Sequence, residues 1–178
     1  MVALASGCEA SPHGPRAVGI PPGWVPALLG SGLADVVVVE ADGSRKLPFK
    51  APRAPREPVL PAGVEAVVAV AGVDILGAPL VEEMVCRADV VAKFAGVDLG
   101  CTVDADIVGR VMGSYDLWCY GVDTGRSPSP RLYAALNKVD SPESLALAED
   151  VARATMQHSQ SVTSILITGE CDGKRGEV

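Results

Sequence analysis

Four consecutive valines, Val36 to Val39, run straight into Glu40, Ala41, Asp42, Gly43 and Ser44. β-Branched side chains are stiff in a helix and suit a pleated strand, and an apolar run without alternation suits a strand covered on both faces. The run therefore predicts a buried strand that delivers two carboxylates and a glycine at its carboxyl end. Composition agrees, because 26 Val and 24 Ala stand against seven aromatic residues, so the core is built from small and β-branched side chains.

Further strands are predicted over residues 64–72, 132–136 and 164–168. Helical patterns cover residues 21–33, 79–86 and 88–96, and another runs from a cap at Thr102 or Asp104 to Met112. The clearest helix starts at Ser141 as cap, with Pro142 in its first turn, and reaches His158. Residues 115–130, with Gly, Ser and Pro, read as irregular loop. Residues 1–18 show no period and read as an irregular tail, and residues 19–178 read as one α/β nucleotide-binding-like domain. Strands separated by helices predict an α/β fold with a mainly parallel sheet flanked by helices.

Several classes of function are excluded. A net charge of −7 argues against a general nucleic-acid binder, whose affinity comes from neutralising phosphates. No apolar stretch approaches the roughly 18 residues of a membrane span. The first residues lack the basic and apolar regions of a secretory signal, so a cytoplasmic location is expected. The five cysteines, Cys8, Cys86, Cys101, Cys119 and Cys171, form no CxxC pair, and the two histidines, His13 and His158, stand in weak contexts. Reduced thiols are expected, and no zinc site.

In open parallel sheets, ligands bind beyond the carboxyl ends of the strands. Three motifs fall there: residues 40–44, 72–77 and 137–140. Glu40 and Asp42, two apart on an extended chain, suit magnesium held directly or through water, and the Gly43 amide suits a nearby phosphate. A solvated strand end followed by a glycine turn has the same pattern. Asn137, Lys138, Val139 and Asp140 have the form of a guanine-reading motif, with the Asp carboxylate accepting from the base. The same residues also suit a polar strand-to-helix turn. Between them, residues 45–61 hold Arg45, Lys46, Lys50, Arg53 and Arg56 among five prolines. Proline removes donors and fixes φ, so an extended basic loop is expected, suited to an anion or to plain solvation. No GxxxxGK[ST], GxSxG or HExxH occurs anywhere.

The residues EADGSRKLPFKAP, then EPVLP, GVDILGAPL, EEMVCR and LNKVD, resemble the YqeC-type family of selenium-dependent hydroxylase accessory proteins. The resemblance runs in order from about Gly19 to Asp140. It implies a P-loop NTPase-like fold, and a role in maturing selenium-dependent molybdenum hydroxylases, with the hydroxylase or its cofactor as partner. It also implies magnesium with GTP or ATP. By position, Glu40 and Asp42 would hold the metal. Gly43, Ser44, Lys50 and Arg87 would contact phosphate, and Asn137, Lys138 and Asp140 the base. Three departures stand out. The family's phosphate loop, expected before the acidic strand, has no place in the sequence, so the domain is expected to be N-terminally incomplete. Cys86 replaces a His before Arg87, and the stretch between Lys50 and Glu57 is rich in Arg and Pro. NTPase or nucleotidyltransferase-like activity is expected only in a chain carrying the phosphate loop. The alternative is a truncated, non-catalytic module that docks a partner protein or cofactor.

Overall fold

The computed structural model describes residues 3–10, 14–119 and 129–170. In chain order the elements are β1 (Gly7–Glu9), β2 (Arg16–Val18), α1 (Trp24–Gly30), β3 (Phe49–Lys50), β4 (Ala66–Gly72), β5 (Val85–Cys86), α2 (Ala88–Ala95), α3 (Ala105–Met112), α4 (Tyr115–Trp118), β6 (Arg131–Asn137), α5 (Pro142–His158) and β7 (Val162–Ile167). The centre is a parallel sheet ordered β4-β6-β7, in which Gly72 pairs with Asn137 at the carboxyl ends of the first two strands. A second parallel pair joins β3 to β5, and β1 and β2 form an antiparallel hairpin. The expected α/β architecture with mainly parallel strands is therefore present. Among the described residues no helix is long and apolar enough to cross a membrane.

The helices form where the caps place them. Asp104 accepts from the Ile107 amide at 2.9 Å and starts α3, and Ser141 accepts from the Ser144 amide at 3.2 Å and starts α5. Both satisfy amides that an exposed helix start leaves open. Gly109 lets α3 lie directly on α5, because a Cβ there would sit 2.7 Å from Ala154 Cβ and from the Thr155 backbone nitrogen. The core gathers Val67, Ala69 and Ala71 of β4, Leu132, Ala134 and Leu136 of β6, and the inner faces of α2, α3 and α5.

Five features differ from the sequence reading. Val36 to Val39 form no strand, and Val36 and Val38 are 76% and 92% exposed. Strand propensity is a preference for packing on neighbours. Among the described residues β4 is an edge strand with only β6 beside it, and the valine run does not pair with its open edge. Second, β4 is covered on one face alone, with Val68 and Val70 half exposed on the other. Third, residues 79–86 are not helical. Turns carry the chain to β5, and Leu80 bonds both ways with the 100–101 backbone. Fourth, the tail read as irregular contains the β1–β2 hairpin, tied by the Ser6 hydroxyl to the Gly19 carbonyl at 2.8 Å. Fifth, residues 115–118 form α4, capped by Ser114, within the stretch read as loop. The remainder of that loop, at 120–128, lies outside the described residues, as do His13 and Cys171.

Two outcomes follow from these contacts. Gly109→Ala should lower stability to urea by about 1–3 kcal/mol, the range for overpacking a tight contact; an unchanged midpoint would show that α3 and α5 do not touch there. His158 and Arg110 both bond the Asp106 carboxylate and hold it below its ordinary value, tying the start of α3 to the end of α5. A depressed carboxylate stabilises the fold above its unfolded value and loses that contribution as pH falls through the folded one. Asp106→Asn should therefore be less stable than wild type at pH 6 by under about 1 kcal/mol, as for an exposed pair. The gap should narrow as pH falls below the ordinary carboxylate value of 3.8, and urea titrations over that range would show whether it does.

Candidate functional site

Beyond the paired ends of β4 and β6 the chain leaves a cavity of about 410 Å³. Glu40, Asp42, Gly43, Ser44, Lys46, Leu47, Pro48 and Lys50 wall one side, and Val68, Val70 and Gly72 of β4 line another. Trp118, Asn137 and Lys138 complete it. Seven of the nine residues singled out from the sequence thus border one space: Glu40, Asp42, Gly43, Ser44, Lys50, Asn137 and Lys138. Arg87 and Asp140 are outside its lining. A larger open groove of about 640 Å³ lies between α5 and β7. Arg153 is its one charged residue, and that guanidinium is bonded to Asp150.

Arg45, Lys46, Arg53 and Arg56 are exposed, as in a solvated basic loop, and Lys50 is the exception. Phe49 and Lys50 form β3 and pair with Val85 and Cys86, which buries Lys50 to 6% side-chain exposure. A buried ammonium needs partners, and Lys50 has three. Its Nζ donates to Asp42 Oδ2, to the Gly43 carbonyl at 3.0 Å and to Glu57 Oε2 at 3.3 Å. Arg87 donates through both terminal nitrogens to the two Glu57 oxygens, and its Nη1 lies 3.8 Å from Asp42 Oδ2. The two cations expected to contact phosphate are thus engaged by carboxylates. Glu57 is the residue that sequence reasoning passed over. It stood in the EPV motif with no role attached, and only the fold brings it to Lys50 and Arg87.

The Asn-Lys-x-Asp segment is also bonded internally. The Thr168 hydroxyl donates to Asn137 Oδ1 at 3.1 Å, and Lys138 Nζ donates to Asp74 Oδ2 at 2.6 Å. The Glu170 amide donates to Asp140 Oδ1 at 2.6 Å, which turns that carboxylate toward the chain after β7. Gly72 makes the crossing of Lys138 over β4 possible, because a Cβ there would sit 2.4 Å from Asp74 Oδ1 and 3.3 Å from Lys138 Cδ. Ser44 closes its own turn, donating to the Leu47 carbonyl at 2.7 Å.

Backbone strain converges on the same region. Among the described residues four non-glycine residues have positive φ: Arg45 (57°), Lys46 (64°), Arg87 (64°) and Lys138 (65°). All four are cations. Each lies in the cavity wall, beside it, or in contact with a residue that lines it. Left-handed φ in non-glycine residues is uncommon and gathers at functional sites.

Among the described residues no three Asp, Glu, His or Cys side chains converge as a metal cage. Magnesium commonly takes one or two carboxylates and fills its shell with water and phosphate oxygens. Glu40 and Asp42 line the same cavity, and both cations near Asp42 use its Oδ2. That pair is the donor set magnesium takes alongside a phosphate. Nucleophilic chemistry by Cys119 is disfavoured, since burial pushes its thiol up to about 11 and keeps it protonated at neutral pH. Cys8, Cys86, Cys101 and Cys119 are free thiols.

Fold and site thus define an α/β protein with a charged cavity at the carboxyl ends of its parallel strands. The profile of the YqeC protein family matches residues 2–89, which include Glu40, Asp42, Lys50, Glu57 and Arg87. Through this region the chain is similar to the YqeC family. It is similar to the uncharacterized protein YqeC of Escherichia coli (strain K12), at 37% identity over 94 residues, 52% of this chain and 36% of that protein. The match therefore spans about a third of the curated relative's length. No solved structure matches.

The ion network sets a measurable contrast. Glu57→Gln leaves Lys50 and Arg87 short of charge and should cost about 3 kcal/mol, the low end for removing one member of a buried pair. Asp89→Asn, which breaks the exposed Arg53–Asp89 pair, should cost under about 1 kcal/mol. Equal losses in chemical denaturation would contradict the burial of the network.

Proposed function

We propose that the chain binds a nucleotide, GTP or ATP with magnesium, in the cavity beside Gly72, and acts as an accessory protein in maturing selenium-dependent molybdenum hydroxylases in the cytoplasm. One observation carries the binding reading. Two motifs far apart in the sequence, Glu40–Ser44 and Asn137–Lys138, border the same cavity with Lys46 and Lys50. The hydroxylase context rests on the family resemblance.

In this reading Glu40 and Asp42 hold the metal together with phosphate oxygens. Bound magnesium would neutralise phosphate charge. Lys46 and Lys50 face the phosphates, with Gly43 and Ser44 at the turn between them. Arg87 acts by holding Glu57, and so by fixing the height at which Lys50 and Asp42 sit. Asn137 and Lys138 stand toward the base. Asp140 would have to leave the Glu170 amide to reach it.

A second reading, a binding module without turnover, draws support from the ion pairs and the sequence. Lys50 and Arg87 are already neutralised, and no GxxxxGK[ST] is present to cradle a polyphosphate. Calorimetric titration with GTP and with ATP, each with and without magnesium, tests the proposal. Binding that strengthens with magnesium is expected, and Lys46→Ala should weaken it by about tenfold, as for one charge-assisted hydrogen bond. A folded sample that binds neither nucleotide would overturn the reading.

A further inference from the structure

The central sheet has an unguarded edge beside the cavity. The Glu65 carbonyl accepts from the Arg131 amide at 2.9 Å, whereas the Gly72 amide donates to the Pro48 carbonyl at 2.7 Å, on the side opposite β6. Backbone groups along a strand alternate in direction with a period of two. Ala66, Val68 and Val70 therefore turn their amides and carbonyls to the side free of β6, and among the described residues no strand lies there. Pro48 closes only the Gly72 end. Exposed edges are ordinarily blunted by charge, proline or a bulge. β4 runs Ala-Val-Val-Ala-Val-Ala-Gly in unbroken register with β6 and carries none of these.

We propose that Val36–Val39 is a strap that converts to a strand and pairs in parallel with the open edge of β4 when the magnesium nucleotide fills the cavity. The inference rests on the nucleotide reading and adds a conformational response to it. Three observations assign this segment. Its four β-branched residues are strand formers left without a ladder, with Val36, Val38 and Val39 exposed. It leads into Glu40, which lines the cavity with Val68, Val70 and Gly72, so its carboxyl end lies at the carboxyl end of β4. Being part of the same chain, it meets the edge at an effective concentration in the millimolar range, above that of a separate chain. On an extended strand Val36, Val38, Glu40 and Asp42 share one face. Pairing sets Val36 and Val38 beside Val68 and Val70 on the cavity floor and brings the two carboxylates together. Their mutual repulsion opposes pairing until a bound cation offsets it, and a ligand that favours the paired form shifts the population toward it.

Amide hydrogen exchange separates the edge from the ladder within one strand. In the free chain the Val68 and Val70 amides should exchange faster than those of Val67 and Ala69, which face β6. Saturation with magnesium and GTP or ATP, verified by calorimetry on the same sample, should slow Val68 and Val70 by about tenfold or more and leave Val67 and Ala69 nearly unchanged. The double variant Val37→Pro, Val38→Pro removes a donor from each side of the run, so one of the two prolines must face β4. The run is unpaired in this structure, so the free fold should tolerate both changes. In that variant the nucleotide should bind about three- to tenfold more weakly, with Val68 and Val70 still exchanging fast. Nucleotide bound to wild type with Val68 and Val70 unprotected would overturn the strap and leave the nucleotide site standing. Protection that survives both prolines, or that grows with chain concentration, would give the edge to another strand or a second copy and overturn the strap. Binding of neither nucleotide would overturn the strap and the nucleotide reading together.

Discussion

The buried ammonium of Lys50 is the constraint around which this end of the molecule is arranged. A lysine at 6% side-chain exposure cannot stay charged without partners, and its partners come from separate parts of the chain. Asp42 and the Gly43 carbonyl arrive from the turn after the valine run, and Glu57 from the proline-rich segment. Glu57 in turn holds Arg87 at the entry to α2. Removing Glu57 takes both hydrogen-bond partners from the Arg87 guanidinium and one of the two carboxylates from Lys50, so these segments are held in mutual register by charge. Apolar packing alone would fix them less closely, because prolines deny the segment a regular ladder.

The same network shapes the cavity. It places Asp42 and Lys50 along one wall, while the Gly72–Asn137 pairing at the sheet end places Lys138 across from them. Left-handed backbone at Arg45, Lys46, Arg87 and Lys138 gathers around this space, where Arg87 bonds Glu57 and Lys138 bonds Asp74. The floor is apolar because β4 is covered on one side only. A charged rim over a valine floor suits a ligand that is anionic at one end and flat and apolar at the other.

Much of the architecture could be read from the sequence. Ser141-Pro142 marked the start of α5, Thr102 or Asp104 the start of α3, and the apolar runs marked β4, β6 and β7, since caps and periodicity act locally. The valine run misled for the opposite reason. Its strand propensity is realised only on pairing with a neighbouring strand, and the run does not pair with the open edge of β4. Residues 79–86 misled because a short apolar run cannot be told from a helix by period alone. At the site, the residue types at Glu40–Ser44 and Asn137–Lys138 were legible, as was their place beyond strand ends. The pairing of Lys50 and Arg87 with Glu57 was not, because it depends on how a proline-rich loop folds back. Trp118 stayed hidden within a stretch that reads as loop.

The central claim is that the cavity beside Gly72 is the ligand site. Amide chemical-shift mapping of the folded chain on addition of magnesium and GTP tests it most directly. The largest shifts are expected at Asp42–Lys46, at Val70–Gly72, at Trp118 and at Asn137–Lys138. Shifts confined to the α5–β7 groove around Met156 and Ile165, or none at saturating nucleotide, would contradict it.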